Sequence, residues 1–234
     1  SAQRSVNCYL EAGKDGAPVA LYGTPGSILK ATLGSGPIRS SIASGGHAWF
    51  VSGNEVYRLS SSYVSTLCGT IGTSSGPVSM SANDTQIIIV DGSAGYIIDM
   101  ALATVAQIID PDFPNGVTQA TYQDGFFIVA GNSSGQFFIN ETPNNGTSWN
   151  GLDFASAEGS PDNTISIISD HRELWLIGSD SAEVWVNTGN ADFPFERSGN
   201  VFIEHGCAAP FSLEKMDSTV FWLGSDSRGS GTVW

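Results

Sequence analysis

Two short stretches hold the side chains best suited to chemistry. His171 and Glu173, in SDHRELW, place an imidazole and a carboxylate two residues apart, the pairing a general acid and base would use. They flank an apolar run that reads as a strand, and a polar cap where that strand begins is the simpler account. Glu204, His205 and Cys207, in FIEHGC, are all metal-ligand types. No second cluster of the CxxC or HxxxH kind exists to complete a tetrahedral shell, so these too are read as structural. Asp110 and Asp112, in DPDFPNG, offer carboxylate oxygens within a turn, but the further ligands and terminal Glu of a calcium loop are missing, which leaves a turn-forming role. His47 stands alone in GGHAWF as a polar residue beside a strand. GxSxG, GxxxxGK and a strand-linked GxGxxG are all absent. We therefore assign no catalytic, cofactor-binding or metal-binding residue, and expect a chain that is not an enzyme and carries no cofactor.

The elements that would hold such residues follow from composition. The 234 residues are 41% hydrophobic, enough for a substantial core, and only 14% charged. Asp+Glu 23 against Lys+Arg 9 gives a formal net charge of −14. A chain so acidic repels phosphate backbones, and its cations are scattered, so nucleic-acid binding, sequence-specific binding included, is disfavoured. Cys8, Cys68 and Cys207 are an odd number set far apart, and we expect reduced, buried thiols. No apolar run approaches the length of a membrane span, so no membrane insertion is expected.

Gly 28 and Pro 10 break the chain into short apolar runs, and no window keeps a helical period over three turns, which points to an all-β protein. Five of these runs superpose: AWFVSGNEVYRL from Ala48, IIIVDGSAGYIID from Ile87, FFIVAGNSSGQFFIN from Phe126, LWLIGSDSAEVWVN from Leu174 and VFWLGSDSRGSGTVW from Val220. With Val51, Val90, Val129, Ile177 and Leu223 as equivalent anchors, the separations are 39, 39, 48 and 46 residues. That spacing suits the four-stranded antiparallel blades of a β-propeller. Each anchor lies in an unbroken apolar run, as a strand buried on both faces requires. We place the blades at 37–76, 77–116, 117–163 and 164–207, with a partial fifth at 208–234. This fifth unit stops at Trp234 without its outer strands, and the natural polypeptide is expected to continue. Residues 1–36 form an N-terminal segment, whose strand-like pieces around the TPG turn are expected to serve the blade that closes the ring.

TPNNGTSW, from Thr142, loosely matches the Asp-box turn of some propellers, with the Trp expected beneath the turn. Four sequons, at Asn83, Asn132, Asn140 and Asn145, are read as markers of surface loops. Trp49, Trp175, Trp185 and Trp222 lie in or beside anchor strands and are expected in the core between blades. Trp149 and Phe193, in loop contexts, are the candidate surface anchors for a partner.

The run ISIISDHRELWLIGSDSAEVWVNTGNADFPFER, continued by IEHGCAAP and STVFWLGSDSRG, resembles the packaged-DNA stabilisation, or tail accessory hub, proteins of short-tailed bacteriophages and their prophage relatives. QRSVNCYLE, TPG, GPVSM and FASAEGSPD upstream are similar too, so the resemblance spans nearly the whole chain. It implies a propeller-bearing virion protein of the phage tail, oligomeric in the particle and made in the host cytoplasm. Such a protein docks on the portal and its adaptor, the head–tail connector, seals the channel after packaging and so completes the head, and supports the tail needle or tailspikes. Fold alone does not fix function. Two other readings come from the residues themselves: a carbohydrate-binding or glycan-hydrolysing propeller, from the loose Asp box and the aromatics, and a secreted adhesion module, from the acidity and the sequons.

Overall fold

The computed structural model describes residues 6–11, 19–131, 133–157, 159, 162–225 and 231–234. They fall into two units, Ser1–Thr32 and Leu33–Trp234. In the first, β1 (Cys8–Glu11) pairs antiparallel with β2 (Ala20–Gly23), and Tyr9 stacks on Tyr22 with ring centroids 5.7 Å apart. The piece after the TPG turn forms no strand.

The second unit is a succession of antiparallel sheets, each made in strict chain order. The first holds β3 (Ile38–Ser44), β4 (His47–Ser52), β5 (Glu55–Leu59) and β6 (Ser65–Thr70), and the second β7 (Ser79–Ala82), β8 (Gln86–Val90), β9 (Gly95–Asp99) and β10 (Thr104–Gln107). The third holds β11 (Gln119–Gln123), β12 (Phe126–Ala130), β13 (Gln136–Asn140) and β14 (Trp149–Ser156), and the fourth β15 (Thr164–Asp170), β16 (Glu173–Gly178), β17 (Ala182–Asn187) and β18 (Phe195–Ile203). Beyond them, β19 (Glu214–Met216) pairs with β20 (Thr219–Phe221), and β21 (Leu223–Ser225) with β22 (Gly231–Val233). Trp222 alone separates β20 from β21, and its main chain exchanges hydrogen bonds with Trp234, so the ladder continues through it. Among the described residues there is no helix, hence none long and apolar enough to cross a membrane.

Sequence explains why the second strand of each sheet is central. Ile87 to Val90 are entirely buried, and β12 and β16 are nearly so, because apolar side chains on both faces find a neighbouring sheet on both sides. Each such side chain contributes about 1.5–3 kcal/mol through burial. The resulting cores lie between sheets. Trp49 and Val51 meet Ile87 and Ile89; Ile88 and Val90 meet Phe127 and Val129; Ile128 and Ala130 meet Leu174 and Leu176; and Ile177 meets Val220 and Trp222. Consecutive sheets thus pack face to face, as the blades of a propeller do.

Two-residue turns fix the register. The turns joining first to second strands are Gly45–Gly46, Asp84–Thr85, Asp124–Gly125, His171–Arg172 and Asp217–Ser218. Counting six residues on from the first turn residue gives Val51, Val90, Ala130, Ile177 and Leu223. The third anchor is therefore Ala130, not Val129. A one-residue slip along a strand reverses the face, and Val129 accordingly packs back on the second sheet while Ala130 packs forward on the fourth. Opposite these anchors on the inner strands stand Ser40, Ser79, Gln119 and Ser166.

Polar side chains tie sheet to sheet. All five N–H groups of Arg39 find acceptors: Gly76 O, Gly53 O, Thr73 O, Thr73 Oγ1 and Ser75 O, at 2.6–2.9 Å. Thr73 Oγ1 in turn donates to Asp91 Oδ2 at 2.7 Å, and the other carboxylate oxygen accepts Ser93 N and Ala94 N. Burial pushes the Asp91 carboxyl up, but these hydrogen bonds outweigh it and hold the group below its usual value. A depressed folded value means stability that is present above the unfolded carboxylate range, near pH 4, and is lost as pH falls through the folded value. The stability gap between the wild type and Asp91→Asn is therefore expected to be larger at pH 7 than at pH 3 in denaturant titrations, and an equal gap at both contradicts this role.

Candidate functional site

The turn that carries His171 is unusual. His171 and Arg172 both adopt left-handed backbone, φ 47° and 67°, as do both residues of the Gly45–Gly46 and Asp124–Gly125 turns, which contain glycine. Such φ values cost a non-glycine residue free energy. The His171 side chain is exposed, its Nδ1 lies 2.7 Å from Asp170 Oδ2, and Arg172 reaches Asp124 at 3.3 Å. Its carboxylate neighbour is thus Asp170, while Glu173 opens β16. All three border a cleft of about 390 Å³ shared with Trp175, Trp222 and Trp234.

The other candidates do not converge. His205 stacks on Trp234 with centroids 3.5 Å apart, Glu204 is exposed, and the buried Cys207 thiol donates to Ala209 O at 3.1 Å. Gly206 between them presses against the main chain of Ser179 and Asp180, so this stretch is where the chain crosses the β16–β17 turn. Asp110 accepts Asp112 N and Trp149 N, each at 3.0 Å, and serves as a turn former. His47 Nδ1 sits 2.9 Å from Gly45 O. Among the described residues no group of three or more His, Cys, Asp or Glu could hold a metal ion.

Three expectations need correction. Trp149 is not a surface anchor: it is buried in β14, edge-on to Phe113 at 4.9 Å, with Nε1 donating to Gly146 O of its own turn. Phe193 is half-buried against Phe137 and Phe195. The sequons do not mark surface loops throughout, since Asn140 is fully buried, accepting Phe127 N at 2.6 Å and donating to Thr142 O, and Asn83 is buried as a turn former for Thr85 and Gln86. Asn145 is half-buried, and Asn132 lies outside the described residues. Of the free thiols only Cys207 is buried; Cys8 is exposed and Cys68 half-buried. Trp49, Trp185 and Trp222 do lie in the cores between sheets, and Trp175 packs against the last of them.

The inner strands line a groove of about 750 Å³ that runs along β3, β7, β11, β15 and the start of β19. Hydroxyl side chains bridge its walls: Ser79 Oγ accepts Ala120 N at 3.0 Å, Thr121 Oγ1 accepts Ser169 N at 3.1 Å, and Ser166 Oγ donates to Pro210 O. Sequence reasoning missed these residues and also Glu183, a carboxylate buried inside β17. Its oxygens accept Gly159 N and Trp185 Nε1 and pair with Arg197 Nε at 3.5 Å. One signal was available, a lone charge or amide inside an apolar strand.

Among solved structures, a streptogramin B lyase superposes with a TM-score of 0.58 at 12% identity, covering 97% of this chain and 76% of that one. The computationally designed Ika8 protein gives 0.53 at 10% identity, covering 99% and 69%. At such identities the likeness concerns the fold alone. Among curated proteins, none matches the sequence. A family model does match, over residues 11–234, and with it the repeated four-stranded sheets acquire a relation: the chain belongs to the phage packaged-DNA stabilisation family described as "Bacteriophage P22 Gp10, beta-propeller".

Proposed function

We propose that this chain is a non-enzymatic virion protein of the phage tail or neck, a tail hub component that binds the portal–adaptor assembly and seals the packaged genome in the head. In this role it also supports a tail needle or tailspikes and acts in several copies. The observation that carries the proposal is the extent of the family match, which runs through the whole array of packed sheets rather than one patch. A second supports protein contact in particular. Leu102, Ile109 and Leu152, at or beside the outer strands, are 72%, 89% and 82% exposed, a set of apolar contacts suited to another protein surface. The net charge of −14 opposes adhesion to the genome, so stabilisation would work by closing a channel rather than by gripping DNA. The saccharide reading loses one of its aromatics, because Trp149 is a core residue packed beneath its turn, as the Asp-box pattern has it.

Mixing the full-length protein with a purified portal–adaptor assembly tests this. Co-sedimentation and added density below the adaptor in electron micrographs are expected. Failure to associate at micromolar concentrations and physiological salt contradicts the proposal.

A further inference from the structure

The groove along the inner strands has three properties that together specify an occupant. Its walls are sheet edges, since β3, β7, β11 and β15 each pair on one side only. An edge strand is a template for an extended chain, here at positions other than Ala120 N and Ser169 N, which Ser79 Oγ and Thr121 Oγ1 already accept. Small side chains line it, among them Ser41, Ala43, Ser81, Ala82 and Ala120, so little stands between its main chain and an incoming one. Finally, Gln119 lines the groove, is only 5% exposed, and has an Nε2 with no hydrogen-bond partner. Buried amide donors are rarely left so, and a turn of the Gln119 side chain toward the groove would bring Nε2 to an acceptor oxygen delivered by an occupant.

Charge and ring placement decide between kinds of ligand. Asp84 and Glu214 face a single cation, Lys215, in an acidic chain, which disfavours phosphates and carboxylates. A saccharide wants free aromatic faces, and of the two rings that line the groove Tyr122 is committed to Phe127 at 5.3 Å and through its hydroxyl to Asn144 Oδ1 at 2.5 Å, which leaves Phe211, 46% exposed, to serve alone. A polypeptide offers a carbonyl at every residue and needs neither feature.

We propose that this groove binds an extended, neutral-to-basic polypeptide segment of another protein, one of whose main-chain carbonyls accepts from Gln119 Nε2. The site does not depend on which assembly the chain joins. The probe is a display library of random ten-residue peptides, selected on the purified chain, with the best binder then synthesised and capped. Gln119→Leu removes the donor and is expected to weaken that peptide at least tenfold while leaving the thermal midpoint unchanged or higher. Ser81→Trp fills the groove and is expected to abolish binding; should it not fold, the exposed Ser41→Trp replaces it. Hydrogen exchange on the complex should slow in residues 79–84 and 119–122. The proposal is overturned if no peptide is enriched, if the selected peptide binds the tryptophan variants as well as the wild type, or if a glycan array or an oligonucleotide, in place of peptides, gives saturable binding that the same variants remove.

Discussion

Phe137→Ala is expected to lower the unfolding free energy by about 3–5 kcal/mol, the range for removing a large ring from a close-packed core. Phe137 has no solvent exposure and lies between the third and fourth sheets, with the rings of Trp185, Phe193 and Phe195 at 5.1, 5.8 and 6.4 Å. Those rings belong to a different sheet or its loop, so the cavity would open in the contact between sheets and could not close without their shifting. For a unit of this size the thermal midpoint should fall by roughly 10 °C. Phe154→Ala is the control: the ring is 37% exposed on the outer strand β14, and about 1 kcal/mol is expected. Equal losses for the two variants would mean that the sheets are not held together through their faces.

Gly206→Ala should be as damaging for a different reason. A Cβ at this position would strike Ser179 O and C and Asp180 N, all main-chain atoms that no rotamer change can move. The same crossing is pinned by hydrogen bonds from Cys207 N to Gly178 O at 2.9 Å and from Trp222 Nε1 to Gly206 O at 3.2 Å. Separation of the two strands is therefore expected, at about 3 kcal/mol or more, together with loss of the fixed near-ultraviolet signal of Trp222. Gly189→Ala, in an exposed turn with nothing within 4 Å, carries only the penalty of its left-handed backbone, φ 72°, and should cost about 1 kcal/mol. Chemical denaturation of both variants separates close packing from conformational freedom.

The repeat was legible because each sheet obeys the same local rule, a two-residue turn followed by an apolar strand. Its register was less legible in FFIVAG, where every residue from Phe126 to Ala130 is apolar and alternation is silent about which side chains face forward. The Asp124–Gly125 turn just before it holds the missing cue, because a DG pair sets hairpin register and counting from it yields Ala130. Trp149 was misplaced for another reason. The Asp-box pattern rightly put it beneath its turn, but its neighbours Phe113 and Asp110 lie 36 and 39 residues earlier, so the polar Asn- and Gly-rich context suggested a surface anchor as well. Asn140 and Glu183 show the same limit. A buried amide or carboxylate is tolerable only with partners in place, and those partners, Phe127 N and Arg197, are set by strand pairing rather than by local composition. The groove was not visible at all, since it arises where the first strands of separate sheets come together.

Consecutive sheets pack through alternate faces of their second strands, and an experimental structure of the chain at side-chain resolution measures this most directly. Val51, Val90, Ala130 and Ile177 should each touch the sheet that follows, with Val129 turned back toward Val90. Finding Val129 in the forward row, or any of the four anchors facing solvent or the preceding sheet, would contradict the account.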